Sequence, residues 1–217
     1  KSAKVIQWKE PQEEYEFWKQ YSESTHATSD LFNTVLERSI HTHHPKYIGH
    51  QVAPTVPVSA LATLLSAQLN NGMAVYEMGA ASTAIERLVI ERFTKAIGYP
   101  KGDGFLSSGG TLGNLTALLA ARRAFKKEDV WNDGHQSKLA VLVSEEAHYC
   151  IDRAARIMGL GDKGIIKVPV DANYQMRIDL MESSYSKAVA DGFEVIAIVG
   201  SAPSTSTGIF DDLEAVS

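Results

Sequence analysis

The first segment with chemical content is SSGGTLGN at residues 107–114. Gly109 and Gly110 let another group approach the backbone closely, and Thr111 follows at the predicted start of a helix. Because unpaired N–H groups and the helix dipole favour an anion there, the turn is typical of a phosphate site. The segment matches neither the dinucleotide-binding nor the P-loop pattern. Since glycine turns before helices are common, a purely structural turn remains an alternative.

The second segment is SEEAHYCIDRAARIMGL at residues 144–160, which follows the apolar run LAVLV at 139–143. The run predicts a buried strand, so His148 would lie at the carboxyl end of a parallel strand, where open α/β sheets bind ligands. An imidazole there could stack on an aromatic cofactor or move a proton, and the structural alternative is a helix-capping histidine. A phosphorylated aromatic cofactor would use both segments.

The elements that must position these groups alternate along the chain. Periodicity predicts helices over residues 30–42, 58–71, 82–98, 111–127, 148–159 and 178–191, and strands over 104–107, 139–143, 165–168 and 195–199. Asp30 is the expected cap of the first helix. Ser82 or Thr83, with Glu86 in a capping box, is expected to start the third, and Gly98 to close it. Strand–helix–strand units predict a mostly parallel sheet with helices on its faces.

Composition excludes some classes of function. A net charge of -5 argues against nucleic acid as the main partner, and no apolar stretch approaches the ~18 residues of a membrane helix. The single cysteine, Cys150, rules out an internal disulfide. The charged, aromatic N-terminus lacks the apolar core of a signal peptide, so we expect a cytoplasmic protein. We interpret the aromatic-rich residues 1–29 as an arm that docks on the rest of the protein or on a partner subunit.

Four segments together resemble the group II pyridoxal-phosphate decarboxylases, which include glutamate, aromatic-amino-acid and 2,4-diaminobutyrate decarboxylases. They occur in the expected order, and the resemblance covers the chain from about residue 30 onwards. The segments are HPKYIGHQ at 44–51, SSGGTLGN at 107–114, SEEAHYCIDRAARIMGL at 144–160 and SAPSTSTGIFDDL at 201–213.

The resemblance implies an α/β fold, the large domain of the fold-type-I pyridoxal-phosphate-dependent transferases, with helices on both faces of the sheet. Residues 1–56 would be an N-terminal arm and helix for dimer contact and the substrate mouth, and residues 57–217 the first part of the cofactor-binding domain. The implied activity is decarboxylation of an L-amino acid to the amine and CO₂, by a homodimer that uses pyridoxal 5'-phosphate.

Site residues carry over position by position. Gly110 and Thr111 match the family's phosphate-binding residues, and His148 matches the histidine that stacks on the cofactor ring. Thr205 matches a threonine beside the cofactor, although Pro203 stands where the family has glycine. The resemblance makes His50 a candidate for substrate contact.

Two further groups of the family are not found in these residues: an aspartate that pairs with the pyridine nitrogen, and a lysine that binds the cofactor covalently. Asp211 and Asp212 lie in a different segment, FDDL, and are not expected to be that aspartate. We therefore expect that the chain is the front portion of a longer enzyme, inactive alone.

Three alternatives stay open. The chain could carry another reaction of the same fold, such as that of an aminotransferase or a carbon–carbon lyase. It could be a non-catalytic module derived from the fold. His41, His43 and His44 could bind a metal, but their spacing is not that of a two-histidine helical site, so we expect no metal.

Overall fold

The computed structural model describes residues 5–125 and 129–217; residues 126–128, at the end of the predicted helix 111–127, lie outside it. The chain divides into two compact units between Ser82 and Thr83. The boundary predicted between residues 56 and 57 separates an arm for dimer and substrate contact from the cofactor-binding domain. That boundary is based on the expected roles of the two segments and stays a prediction. In the described part of the chain, no helix combines the length and hydropathy needed to cross a membrane.

The first unit is helical. It contains α1 (Pro11–Ser22), α2 (Thr28–Arg38), α3 (Pro57–Leu69) and the beginning of α4 (Tyr76–Ala96). The prediction that Asp30 caps α2 is wrong: Ala27 is the N-cap residue, and Asp30 lies in the first turn, where its charge faces the positive end of the helix dipole. The helix predicted over 58–71 ends at Leu69, because the C-cap residue Asn70 adopts the left-handed conformation with φ 49°.

Helix α4 corrects a second prediction. It begins at Tyr76 and is interrupted at Gly79, so Ser82 and Thr83 lie inside the helix and do not cap it. The Gly79 backbone packs tightly: a Cβ there would lie 2.6 Å from the carbonyl oxygen of Gly72. Glu86 forms no capping box, because its carboxylate accepts a 2.8 Å hydrogen bond from the backbone N–H of Leu106. Gly98 follows the helix end with φ +85°, as a closing glycine requires.

The second unit is an α/β layer structure. Its strands are β1 (Leu139–Ser144), β2 (Ile165–Val168) and β3 (Glu194–Val199). Its helices, after α4, are α5 (Gly110–Phe125), α6 (Val130–Asp133), α7 (Cys150–Ile157), α8 (Ile178–Ala190) and α9 (Leu213–Val216), with a 3₁₀ turn at Asp162–Gly164. The strand predicted over 104–107 is wrong; that segment lies outside regular structure, and the N–H of Leu106 pairs with the Glu86 side chain instead of a strand.

The three strands are parallel in the order β2–β1–β3, so β1 is central. Val141 is opposite Ile165 on one side and Ala197 on the other. One core cluster joins Leu118 of α5 and Ala155 of α7 to one face of the sheet. A second cluster joins Met181 of α8 to Leu142 on the opposite face. Helices therefore cover both faces, which confirms the predicted fold class and explains why every residue of β1 is buried.

Candidate functional site

A cavity of about 610 Å³ lies where β1 and β3 reach their carboxyl ends beside the N-terminus of α5. Three segments line it: the first turn of α5, the connection from β1 into α7, and the residues after β3. The lining residues are Gly110, Thr111, Asn114, Ala147, His148, Tyr149, Cys150, Ile151, Val199, Gly200, Ser201, Ala202, Pro203, Ser204 and Thr205. This is the edge of a parallel α/β sheet at which ligands bind.

The first wall of the cavity is the start of α5. The carbonyl oxygen of Gly109 accepts hydrogen bonds from the N–H groups of Leu112 and Gly113, both at 3.1 Å. Helix geometry leaves the N–H groups of Gly110 and Thr111 without an intrahelical partner, and the helix dipole makes this end positive. A Cβ built on Gly109 or Gly110 would meet no heavy atom within 4 Å. The turn therefore offers open space beside backbone donors and the Thr111 hydroxyl, which suits a phosphate.

The second wall is the histidine loop, residues 145–149, between β1 and α7. Backbone hydrogen bonds hold the loop: the N–H of Glu145 donates to the carbonyl oxygen of Val168 at 3.0 Å, and the N–H of Ala147 to that of Ser144 at 3.1 Å. His148 is half-buried, and its ring centroid lies 4.3 Å from that of Tyr149. Its Nδ1 accepts a 3.2 Å hydrogen bond from the N–H of Cys150. The ring is thus held in one orientation at the cavity wall.

A side-chain contact joins the first two walls. The Nδ2 amide of Asn114 on α5 donates a 3.1 Å hydrogen bond to the sulfur of Cys150, the first residue of α7. Cys150 is a buried free thiol. Because Cys150 also donates its N–H to His148, this contact connects the helix that begins at the glycine turn to the residue that orients the imidazole.

The third wall is the β3 loop, residues 200–212, which contains a cis peptide bond between Ala202 and Pro203. Buried Asp211 folds the loop back on itself: its Oδ2 accepts from the N–H of Ser201 at 2.7 Å, and its Oδ1 accepts from the N–H of Met176 at 2.8 Å. Both carboxylate oxygens are therefore used by backbone donors within the fold.

Sequence reasoning named some of these residues and missed others. Gly110, Thr111, His148 and Thr205 line one cavity, and their roles remain predictions. His50 lies in the first unit, exposed and outside regular structure. The missed residues are Asn114, Ser204, Asp211 and Glu146, whose backbone carbonyl oxygen accepts a 3.0 Å hydrogen bond from Ser204 Oγ. The FDDL and SEEAH segments contain two of them, but no spacing reveals partners dozens of residues away.

In the described part of the chain, no group of three or more His, Cys, Asp or Glu side chains is placed so that it could hold a metal ion. His44 instead accepts a 3.1 Å hydrogen bond at Nδ1 from the N–H of Lys46. The residues of the cavity fit a phosphorylated aromatic molecule, because the glycine turn that opens α5 and the ring of His148 line the same space.

Comparison with known proteins agrees with this chemistry. Residues 11–217 match the model of the pyridoxal-dependent decarboxylase conserved domain. The L-2,4-diaminobutyrate decarboxylase of Acinetobacter baumannii is 30% identical over 201 residues, which cover 86% of this chain and 39% of that protein. The human cysteine sulfinic acid decarboxylase is 27% identical over 221 residues, covering 99% of this chain and 45% of that protein.

A solved structure is similar over almost the whole chain. The crystal structure of mouse CSAD in apo form superposes with a TM-score of 0.89 at 26% sequence identity, and the match covers 99% of this chain and 47% of that one. The chain spans less than half the length of the curated relatives named above.

Proposed function

Because the chain belongs to the pyridoxal-dependent decarboxylase family, we propose that the complete protein removes the α-carboxyl group of an L-amino acid, with pyridoxal 5'-phosphate bound in the cavity described above. One observation carries the proposal. The phosphate-binding turn of α5, His148 and Thr205 line a single cavity at the carboxyl edge of a parallel sheet. These are the groups needed to hold a phosphate at one end and a flat ring beside it.

The proposed roles follow from the chemistry of each group. The N–H groups of Gly110 and Thr111, with the Thr111 hydroxyl, donate to the phosphate, whose negative charge the dipole of α5 also favours. His148 stacks on the aromatic ring, in the orientation set by the N–H of Cys150. Thr205, on the β3 loop, contacts the cofactor from the opposite wall.

Pyridoxal phosphate, when bound, accepts the electron pair left at Cα as CO₂ departs. The residues of this chain contribute binding and orientation. The groups that hold the pyridine nitrogen and attach the cofactor covalently are not assigned to any residue of this chain. We therefore propose that these 217 residues alone do not turn over substrate.

The substrate is proposed only as an L-amino acid. Relatives at comparable identity are a 2,4-diaminobutyrate decarboxylase and a cysteine sulfinic acid decarboxylase, whose substrates differ in side-chain charge. His50 is proposed to contact the substrate. A homodimer and a cytoplasmic location are proposed as well; the buried free thiol of Cys150 is compatible with a reducing compartment.

The deciding experiment uses the complete protein. It is titrated with pyridoxal phosphate, and visible absorbance and bound cofactor are recorded. CO₂ release is then measured over a panel of acidic, basic, aromatic and sulfur-containing L-amino acids. Cofactor binding with stoichiometric CO₂ and amine supports the proposal. Cofactor binding with amino-group transfer or carbon–carbon cleavage assigns another reaction of the fold, and failure to bind cofactor supports a non-catalytic module.

A further inference from the structure

Ser204 connects two walls of the cavity that are far apart in sequence. It lies on the β3 loop, is 5% exposed and lines the cavity. Its Oγ donates a 3.0 Å hydrogen bond to the backbone carbonyl oxygen of Glu146, 58 residues earlier in the chain. Glu146 lies two residues before His148, on the histidine loop. The bond therefore joins the segment that bears Thr205 to the segment that bears the imidazole.

A second hydroxyl supports this contact. Ser206 Oγ lies 3.2 Å from Ser204 Oγ and donates to Oε2 of Glu146, also at 3.2 Å. Each hydroxyl has one proton, and a carbonyl oxygen can only accept. The Ser204 hydroxyl must therefore donate its hydrogen to the Glu146 carbonyl oxygen. The hydrogen of the Ser206 hydroxyl is shared between Ser204 Oγ and the Glu146 carboxylate. The carbonyl bond depends on residue 204 alone.

The two loops have different additional anchors. The histidine loop is held to β1 and β2 through Ser144 and Val168. The β3 loop is held through its own N–H···O bonds, including Ser204 to Ile209 at 2.8 Å, and through the carboxylate of Asp211. These anchors fix each loop to its own surroundings, whereas the Ser204–Glu146 bond joins the two loops to each other.

We propose that Ser204 is a positioning residue: its hydroxyl, by holding the β3 loop against the histidine loop, sets the width of the cavity between Thr205 and His148 and so its affinity for the flat cofactor ring. This inference rests on the proposed function for its ligand. Without the Ser204 hydroxyl, the Glu146 carbonyl lacks this buried donor, and the loops can separate before cofactor binds.

The test compares three variants of the complete protein. Ser204→Ala removes the donor, Ser204→Thr keeps a hydroxyl at the same position, and Ser206→Ala is the matched control on the exposed side of the same cluster. Loss of one buried hydrogen bond should weaken pyridoxal phosphate binding about fivefold to thirtyfold in Ser204→Ala. Ser204→Thr should restore most of that loss, and Ser206→Ala should stay within about threefold of the unmodified protein.

A second readout does not depend on cofactor. Amide hydrogen exchange on the cofactor-free proteins should rise in both loops, residues 145–149 and 200–206, for Ser204→Ala and only weakly for Ser206→Ala, while exchange in β1 is unchanged. If Ser204→Ala fails to fold, Ser204→Cys, which fills similar volume with a weaker donor, gives the same comparison.

Equal cofactor affinity and equal loop exchange in Ser204→Ala and the unmodified protein would overturn the inference. So would a loss of affinity that Ser204→Thr does not restore. If the unmodified protein itself binds no pyridoxal phosphate, the proposed function fails, and unchanged loop exchange would then separately refute the contact's role in holding the two loops.

Discussion

The backbone N–H of Cys150 donates a 3.2 Å hydrogen bond to Nδ1 of His148. Because an N–H can only donate, Nδ1 is the acceptor, and the hydrogen of the neutral ring is assigned to Nε2. The bond fixes the rotation of the imidazole at the cavity wall, since the donor belongs to the first residue of α7 and cannot move without the helix.

This relationship predicts how His148 can be replaced. In the complete protein, His148→Leu should weaken pyridoxal phosphate binding by roughly threefold to tenfold, the range of aromatic stacking, and lower turnover by roughly a hundredfold through misplacement of the ring. His148→Phe is the matched control, because it keeps a flat ring while it loses both ring nitrogens, the Nδ1 acceptor and the Nε2–H donor. Cofactor titration and steady-state kinetics are the measurements. Near-normal affinity and kinetics for His148→Leu would rule out the stacking role.

Glycine positions in α5 allow a prediction in which stability and binding move in opposite directions. A Cβ on Gly110 meets no atom within 4 Å and would occupy the open space beside the glycine turn, where we propose that the phosphate binds. Gly110→Ala should therefore leave stability unchanged or raise it by up to about 1 kcal/mol, yet weaken binding of pyridoxal phosphate at least about tenfold.

Gly113 supplies the control for that experiment. It belongs to the same helix, does not line the cavity, and its Cβ would lie 3.7 Å from Ser107 Oγ, an ordinary contact. Gly113→Ala should gain about 0.5–1 kcal/mol of stability with cofactor affinity intact. Thermal unfolding of the cofactor-free proteins, together with titration, separates the two effects. Equal affinity in both variants would show that the space beside Gly110 is not where the phosphate binds.

The sheet could be predicted from sequence because its central strand is buried on both faces. The run LAVLV is apolar without alternation, which is typical of a parallel strand covered by helices, and β1 is such a strand. The run around Gly104 is shorter and less apolar. It forms no strand, because its Leu106 N–H bonds to a side chain of α4. Short apolar runs alone do not distinguish these outcomes.

The site was predictable only in part, because only some of its residues follow a signal in the local sequence. Gly110, Thr111 and His148 each follow a local signal, a glycine turn or the end of a strand. The polar contacts that fix the cavity walls have no local signal, since Met176 and Asp211 are 35 residues apart and Glu146 and Ser204 are 58 apart. Such pairs meet only after β3 has docked beside β1.

In the first unit, an ion pair gives a prediction about pH. Arg38 donates to both carboxylate oxygens of Glu14, at 2.6 and 2.9 Å, and its guanidinium lies 3.5 Å from the centroid of the Phe17 ring. The hydrogen bond from Arg38 holds the pKa of Glu14 below its ordinary value of 4.5. A carboxyl group with a lowered pKa in the folded state contributes stability that is present above the ordinary value and lost as pH falls through the lowered one.

A double-mutant cycle on Glu14→Gln and Arg38→Gln should therefore show favourable coupling at neutral pH that decays once the pH is brought well below 4.5. The matched control is a cycle on Arg156 and Asp162, an ion pair with both side chains more than half exposed, where weaker coupling is expected. Chemical unfolding across the pH range gives the coupling free energy of each pair. Coupling that persists after Glu14 is protonated would show that uncharged hydrogen bonding between Glu14 and Arg38, and not the ionic interaction, holds the pair together.

The buried carboxylate of Asp211 gives the last prediction. Its two oxygens accept from the N–H groups of Met176 and Ser201, so Asp211→Ala leaves these two backbone donors without their acceptor. Each such donor costs about 1–3 kcal/mol, and we expect the free energy of unfolding to fall by about 2–4 kcal/mol because Ser201 is only half-buried.

The neighbouring Asp212→Ala is the control: Asp212 is exposed and caps only α9, through a 3.0 Å bond from the N–H of Ala215. Loss of the Asp212 carboxylate should lower the free energy of unfolding by less, about 0.5–2 kcal/mol. Denaturant unfolding of the cofactor-free complete protein measures both, and cofactor titration should show weaker binding for Asp211→Ala alone, because Ser201 lines the cavity. If the two variants unfold alike and bind alike, Asp211 does not hold the β3 loop, and the shape of that wall depends on its backbone hydrogen bonds instead.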